Sequence, residues 1–247
     1  MRKALRYFLI GIAVVCGLLV VGVLILHQAA QREPEFYQQA LSVDVEHHHE
    51  EAGDQLEQSV LDLHNDVREA GTWEAVFTEE QVNGWFASDM PDKFPKVLPP
   101  GTQEPRVAIN PEAIRVACRF DNGKLRTVIS FALDVDLTTE TNTLAIRISK
   151  LRAGALPVPL KQILDKITAA ARRGKLPLRW TQFDGDPVAL VTVPVTHEDY
   201  AHREIYLDSI TLQEGELHLA GHTEQAEARV LRAAALDQPS SKATSQR

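Results

Sequence analysis

Residues 8–26 carry no charged and no strongly polar side chain. At about 1.5 Å of rise per residue, a helix of this run reaches roughly 28 Å, close to the roughly 30 Å hydrocarbon core of a bilayer. The pattern predicts a transmembrane helix over 8–27. Arg2, Lys3 and Arg6 lie in the tip before it. The positive-inside rule keeps that tip, 1–7, in the cytoplasm and sends the rest of the chain across. A cleaved signal peptide fits less well. Its apolar region is usually about 7–15 residues, and cleavage after Ala29 or Ala30 would put His27 or Gln28 where a small residue is needed. Cys16 is a poor lipoprotein site, because Val15 precedes it and the apolar run continues beyond it.

After the anchor the periodicity becomes helical. Tyr37, Leu41, Leu56, Val60, Leu63 and Val67 recur near helical spacing, predicting helix over 35–69 with a break near 43–53. This reads as an acidic helical stalk over 28–71 leading into an α+β domain over 72–222. A short helix is expected to start at Thr78, where Thr78 and Gln81 form a capping-box pattern. Val82, Trp85 and Phe86 make its apolar face, and Pro91 and Pro95 end it.

From Arg106 the period becomes two. Ile114, Val116, Cys118 and Phe120 alternate with Arg115, Ala117 and Arg119. Asp121, Asn122 and Gly123 signal a turn. Leu125, Thr127, Ile129, Phe131, Leu133, Val135 and Leu137 then mark one face, and Arg126, Ser130, Asp134 and Asp136 the other. After a turn over 138–142, Leu144, Ile146 and Ile148 continue the pattern. Three antiparallel strands with one buried and one wet face are expected. Pro157 and Pro159 break the sheet. Leu160, Ile163, Leu164, Ile167 and Ala171 fall at helical spacing, closed by Gly174. Strands are expected over 178–183 and 188–193, then a hairpin of 204–212 with 216–220. A terminal helix over 223–236 and a disordered tail over 237–247 complete the prediction. The fold class is α+β: an N-terminal transmembrane helix, then a long curved antiparallel sheet packed on one or two helices, wrapped around the one that starts at Leu160.

Charge is distributed unevenly. The net charge is −8, and the part beyond the anchor is −11 once Arg2, Lys3 and Arg6 are set aside. That balance argues against a nucleic-acid partner and against general adhesion to anionic lipid. Residues 42–70 hold nine acids and one base, Arg68. Residues 147–179 hold nine bases and one acid, Asp165. Cys16 and Cys118 are the two cysteines, and with Cys16 in the anchor an intrachain disulfide is not expected.

In the order of its signals the chain resembles the YpmS-like family of single-pass bacterial envelope proteins. The residues that carry the likeness are Thr78-Glu79-Glu80-Gln81-Val82-Asn83-Gly84-Trp85-Phe86, then Leu156-Pro157-Val158-Pro159 opening a helix, then Leu176-Pro177-Leu178-Arg179-Trp180 entering a strand. The resemblance covers about 73–222 and the anchor. It implies a curved sheet gripping a long helix, in outline like lipid-binding modules, and it implies no particular chemistry. The acidic stalk and the His47-His48-His49 run fall outside the family pattern.

Catalytic signals are weak. His197 and His202 in His197-Glu198-Asp199-Tyr200-Ala201-His202 are five apart. A metalloprotease helix needs four, so that both rings face one way. His47, His48 and His49 diverge by about 100° per step on a helix, so a shared ion would need a loop; a solvated polar break in the stalk is the better reading. The pairs Asp184 with Asp186 and Asp134 with Asp136 lack calcium-loop spacing. No nucleophile elbow and no phosphate-binding glycine loop is present. No catalytic residue, metal or cofactor is expected, and the chain does not read as an enzyme.

The basic segment is the constellation with a ligand to suggest. Arg147, Arg152, Lys161, Lys166, Arg172 and Arg173 are expected to receive a lipid headgroup or an anionic envelope polymer. Trp85, Phe86, Phe131, Ile146, Ile163 and Ile167 are expected to line an apolar pocket for acyl chain. The function that follows is a membrane-anchored extracytoplasmic module binding a lipid or amphiphile in envelope maintenance. The alternative is a scaffold domain of a membrane complex, without a ligand cavity, that recruits an envelope protein.

Overall fold

The computed structural model describes residues 28–42, 46–94, 98–123, 126–159, 161–173, 177–183, 185–196 and 203–225. The expected anchor at 8–27, the motif at 197–202, Gly174 and the tail at 237–247 lie outside them. No helix among the described residues is long and apolar enough to cross a membrane.

Most of the described chain is antiparallel β-sheet with a few helices, as an α+β fold requires. Its elements are α1 (Glu35–Ser42), α2 (Glu46–Asp66), β1 (Gly71–Thr78), α3 (Glu79–Ser88), α4 (Met90–Lys93), β2 (Thr102–Asn110), β3 (Ala113–Asp121), β4 (Arg126–Leu137), β5 (Thr143–Ala153), β6 (Leu156–Pro157), α5 (Lys161–Arg173), β7 (Leu178–Phe183), β8 (Asp186–Thr192), β9 (Arg203–Gln213) and β10 (Glu216–Gln225). Two sheets form where one meander was expected. The larger runs β2-β3-β4-β5-β8-β7, with β6 on β5; the smaller runs β1-β10-β9. Strand β1 was not expected. Its sequence, Gly71 to Thr78, lies between two helical patterns and pairs only with the distant β10. The expected terminal helix loses its first residues to β10, which continues to Gln225; the remainder lies outside the described residues.

The capping box at Thr78 forms as the spacing predicts. Gln81 N donates to Thr78 Oγ1 at 3.2 Å, and Thr78 N donates to Gln81 Oε1 at 3.0 Å. The expected apolar face of α3 does not become its buried face. Asn83 and Gly84 are buried, while Val82, Trp85 and Phe86 are partly exposed. The reason is the neighbour. Helix α3 lies along the open edge of β2, whose unpaired backbone groups demand polar partners. Asn83 Nδ2 donates to the Val107 carbonyl at 2.9 Å and Asn83 Oδ1 accepts from Val107 N at 2.8 Å. Two residues on, Ile109 N donates to Glu79 Oε2 at 2.7 Å, and the Ile109 carbonyl accepts from Gly215 N at 2.9 Å. Gly84 lets α2 approach; a Cβ there would sit 2.6 Å from Ala52 Cβ and 2.8 Å from the His49 carbonyl.

Residues 28–42 and 46–66 are therefore built into the domain and do not stand apart as a stalk. Helix α2 packs on α3 and β1, and α1 packs on β2. The His47-His48-His49 run is the first turn of α2, not a break. Tyr37 is 0 % exposed and packs on Ala117 and Val128.

This packing also covers the face of the large sheet that was expected to be wet. Register sets Ala117 beside Ser130 and Arg115 beside Ala132. Ala117, Val128, Ser130 and Ala132 are all buried, although this is the face that carries the charges. On the opposite face Ile114, Val116, Ile129, Phe131, Leu133, Val135 and Ile146 remain partly exposed, while Thr127, Ile148 and Leu151 are buried. Small side chains leave room for the segment that lies across them, so the N-terminal segment seats on the alanine face. The helix expected to be wrapped by the sheet, α5, packs on edge strand β7, where Trp180 Nε1 donates to Thr168 Oγ1 at 2.8 Å.

Two outcomes follow. Asn83→Ala leaves two buried backbone groups of β2 unpaired and is expected to cost about 2–3 kcal/mol in urea unfolding of the full chain; a loss below about 0.5 kcal/mol removes the clamp. The Tyr37 phenol is pushed up to about 12, first by burial and then by the Glu104 carboxylate. Its folded value lies above the unfolded value of about 10. The unfolded chain thus loses its proton first, so the contribution is complete below about pH 10 and is lost as pH rises towards 12. Tyr37→Phe is expected to abolish that alkaline loss, followed by circular dichroism against pH.

Candidate functional site

The cations expected to act together are distributed by the fold to different places. Arg147, on β5, holds its guanidinium 5.0 Å from the centre of the Phe183 ring, on an exposed margin of the sheet. Arg172 is exposed on α5. The side chains of Lys161, Lys166 and Arg173 lie outside the described part of that helix. Arg152 alone among the six lines a described hollow.

That hollow has a volume of about 290 Å³. Its cations are Arg32, Arg115, Lys150 and Arg152, and its one acid is Glu33. Glu33 is already engaged, 3.7 Å from Arg119. Pro34, Phe36, Phe131, Ala132 and Ala155 supply apolar wall. The Arg115 guanidinium lies 5.0 Å from the centroid of the Phe36 ring, a cation–π contact that fixes where the charge sits.

A bulge aims Arg152. Strands β4 and β5 pair Ala132 with Ser149 and then Ser130 with Arg152, so Lys150 and Leu151 together oppose the single residue Phe131. Lys150 has φ of 52°, a left-handed backbone that side chains with a Cβ seldom adopt. Regular alternation from Ser149 would turn residue 152 to the other face. The extra residue returns it to the face of Ser130, Ala117 and Arg115.

The N-terminal segment closes the hollow. Ala155 N donates to the Ala29 carbonyl at 2.8 Å, and Thr127 Oγ1 donates to the Ala30 carbonyl at 2.6 Å. Gly154, with φ of 61°, admits this approach, since a Cβ there would collide with the Ala29 and Ala30 carbonyls.

The six residues expected to line one apolar pocket do not share a described cavity. Trp85 faces outward between helices: its Nε1 donates to Glu57 Oε1 at 3.0 Å, and its ring lies 5.7 Å from that of Phe94. Lys93 bonds both Glu57 and Asp89, holding both carboxyls below the usual carboxylate range. Phe86 lines a different hollow, of about 680 Å³, with Met90, Phe94, Leu98 and Pro105. Phe131 and Ile146 stay on the large sheet, Ile167 is partly buried on α5, and the Ile163 side chain lies outside the described residues. Among the described residues no group of three or more His, Cys, Asp or Glu is arranged to hold a metal ion. Cys118 is a free thiol pushed up to about 11 by burial, which makes it a poor nucleophile.

Arg32, Arg115 and Lys150 were not among the expected ligand residues. Arg115 was legible in part, since its alternation with Ile114 and Val116 puts it on the same face as Ser130. Arg32 had no such signal, because only the fold lays residues 28–37 against β4.

No family model matches the chain and no curated protein matches it.

Lys150→Gly relieves the left-handed strain without removing the bulge. It is expected to raise stability by roughly 1 kcal/mol in urea unfolding. A loss of stability instead would mean that Lys150 is not strained.

Proposed function

We propose that the chain is a membrane-anchored extracytoplasmic module that binds a lipid or other amphiphile and serves envelope maintenance. In this reading residues 8–27 form the transmembrane helix, and the large sheet presents its apolar face to acyl chain. One observation carries it. Ile114, Leu133 and Ile148 form one cross-strand row, and Val116 with Phe131 and Val135 with Ile146 form the next pairs. These side chains form a contiguous apolar surface that is partly exposed at all but Ile148, and its rows end at the buried Val107, Ile109 and Ala189. A partly exposed apolar row of this length is a surface on which an apolar partner can lie.

The distance to the bilayer supports the same reading. Ala29 and Ala30 are bonded to the sheet at Ala155 and Thr127, within a few residues of the end of the apolar run. The likeness to YpmS-like proteins is part of the proposal. Within its first motif, Thr78, Glu79, Gln81, Asn83 and Gly84 cap α3, hold the β2 edge and admit α2, so the motif argues for a shared fold and not for a ligand.

A scaffold domain that recruits an envelope protein is the second reading. Val60 and Leu61, each 51 % exposed on α2, favour it.

The test uses the full chain in nanodiscs containing a lipid with a photoreactive group on its acyl chain. Adducts on peptides of β3, β4 and β5 are expected, with a several-fold drop in Leu133→Asp. Adducts confined to residues 8–27 would discard acyl binding by the sheet.

A further inference from the structure

The hollow between the N-terminal segment and β3–β5 gathers four cations against one carboxylate, Glu33, which lies 3.7 Å from Arg119. Arg32, Arg115, Lys150 and Arg152 line it. Among the described residues none of the four has a carboxylate within ion-pair distance, while Arg119 nearby takes both Glu33 and Glu104. Four like charges around about 290 Å³ repel one another, and that repulsion falls when an anion enters.

The surroundings are built, not incidental. Phe36 fixes the Arg115 guanidinium by its ring. A left-handed residue in mid-strand, Lys150, is tolerated in the bulge that returns Arg152 to this face. Strain of this kind in a strand marks a place where a side chain is being aimed. Guanidinium groups match the oxygens of a phosphate through paired N–H donors, and lysine adds a compact charge. The volume sits near the lower bound of ligand pockets, roughly 300 Å³, which suits a small group held by the cations at its rim.

We propose that this hollow is a binding site for a phosphate-bearing anion, held by Arg115 and Arg152 with Lys150 and Arg32 closing on it. A phospholipid headgroup and a free phosphate compound share that chemistry. The lipid source rests on the membrane reading above; the site itself does not.

The test places the full chain in dodecyl maltoside micelles, which carry no phosphate, and titrates glycerophosphoglycerol and inorganic phosphate, read by isothermal calorimetry and by phosphorus NMR. Binding of at least one is expected, weakened at least tenfold in Arg115→Gln/Arg152→Gln. Lys150→Gln, an exposed single change, is expected to weaken it several-fold and serves if the double variant misfolds. Phosphatidylglycerol added to the micelles distinguishes the sources. If it abolishes binding of the soluble anion, the headgroup occupies the site; if it leaves binding unchanged, a free phosphate compound is the ligand. No binding by the wild-type chain, or equal binding by wild type and the folded variants, overturns the proposal. Because the probes have no acyl chain, failure of the photoreactive-lipid experiment leaves this one able to succeed.

Discussion

An edge strand presents backbone donors and acceptors that water or another strand would otherwise take. In this protein the edge of β2 is closed by side chains from a helix. Asn83 bonds both backbone groups of Val107, and Glu79 and Gly215 take those of Ile109. The same few residues fix the start of α3 through the Thr78–Gln81 box and, through Glu79 N on the Gly215 carbonyl at 2.8 Å, tie the small sheet to the large one. Helix, hairpin and sheet edge are therefore one hydrogen-bonded unit. Asn142 repeats the device at the outer edge of β9, bonding the Ile205 carbonyl at 2.7 Å and Leu207 N at 2.8 Å. Two asparagines thus seal edge strands that belong to different sheets.

With the β2 edge sealed, the N-terminal segment has one productive place to go. Ala117, Val128 and Ala132 offer a shallow face, and Tyr37 fills it while its hydroxyl donates to the Glu104 carbonyl at 2.9 Å. A larger residue at 117 would hold that ring off. The segment brings Arg32 and Phe36 over β3 and β4, and the bulge in β5 brings Arg152 to meet them. The cationic hollow therefore depends on where the segment entering the domain is seated. The face left behind is the one with the larger apolar side chains, partly exposed.

Local chemistry made much of the architecture legible. Alternation through β3, β4 and β5, the turn at Asp121 to Gly123, the capping box and the final hairpin all arise from neighbours in sequence, and each formed where its signal stood. The parts that were not legible involve partners far along the chain. Strand β1 has its partner at β10, well over a hundred residues away. Asn83 looked like one polar residue in an apolar stretch until β2 ran beside it. Arg32 and Arg115 are far apart in sequence and neighbours in space.

By itself the amino-acid order determined the α+β class, the limits of most strands and helices, the uneven charge, and an uncharged run long enough to cross a bilayer. Those properties depend on spacing and composition, which any reader of the chain can count. The tertiary structure alone decided which sheet face is covered, which cations converge and which side chains of α3 are buried. Alternation marks two faces without ranking them. What lies across a face depends on the size of its side chains and on where a distant segment can seat. A single added residue in β5 reverses the side to which Arg152 points, and that reversal exists only relative to the strand beside it.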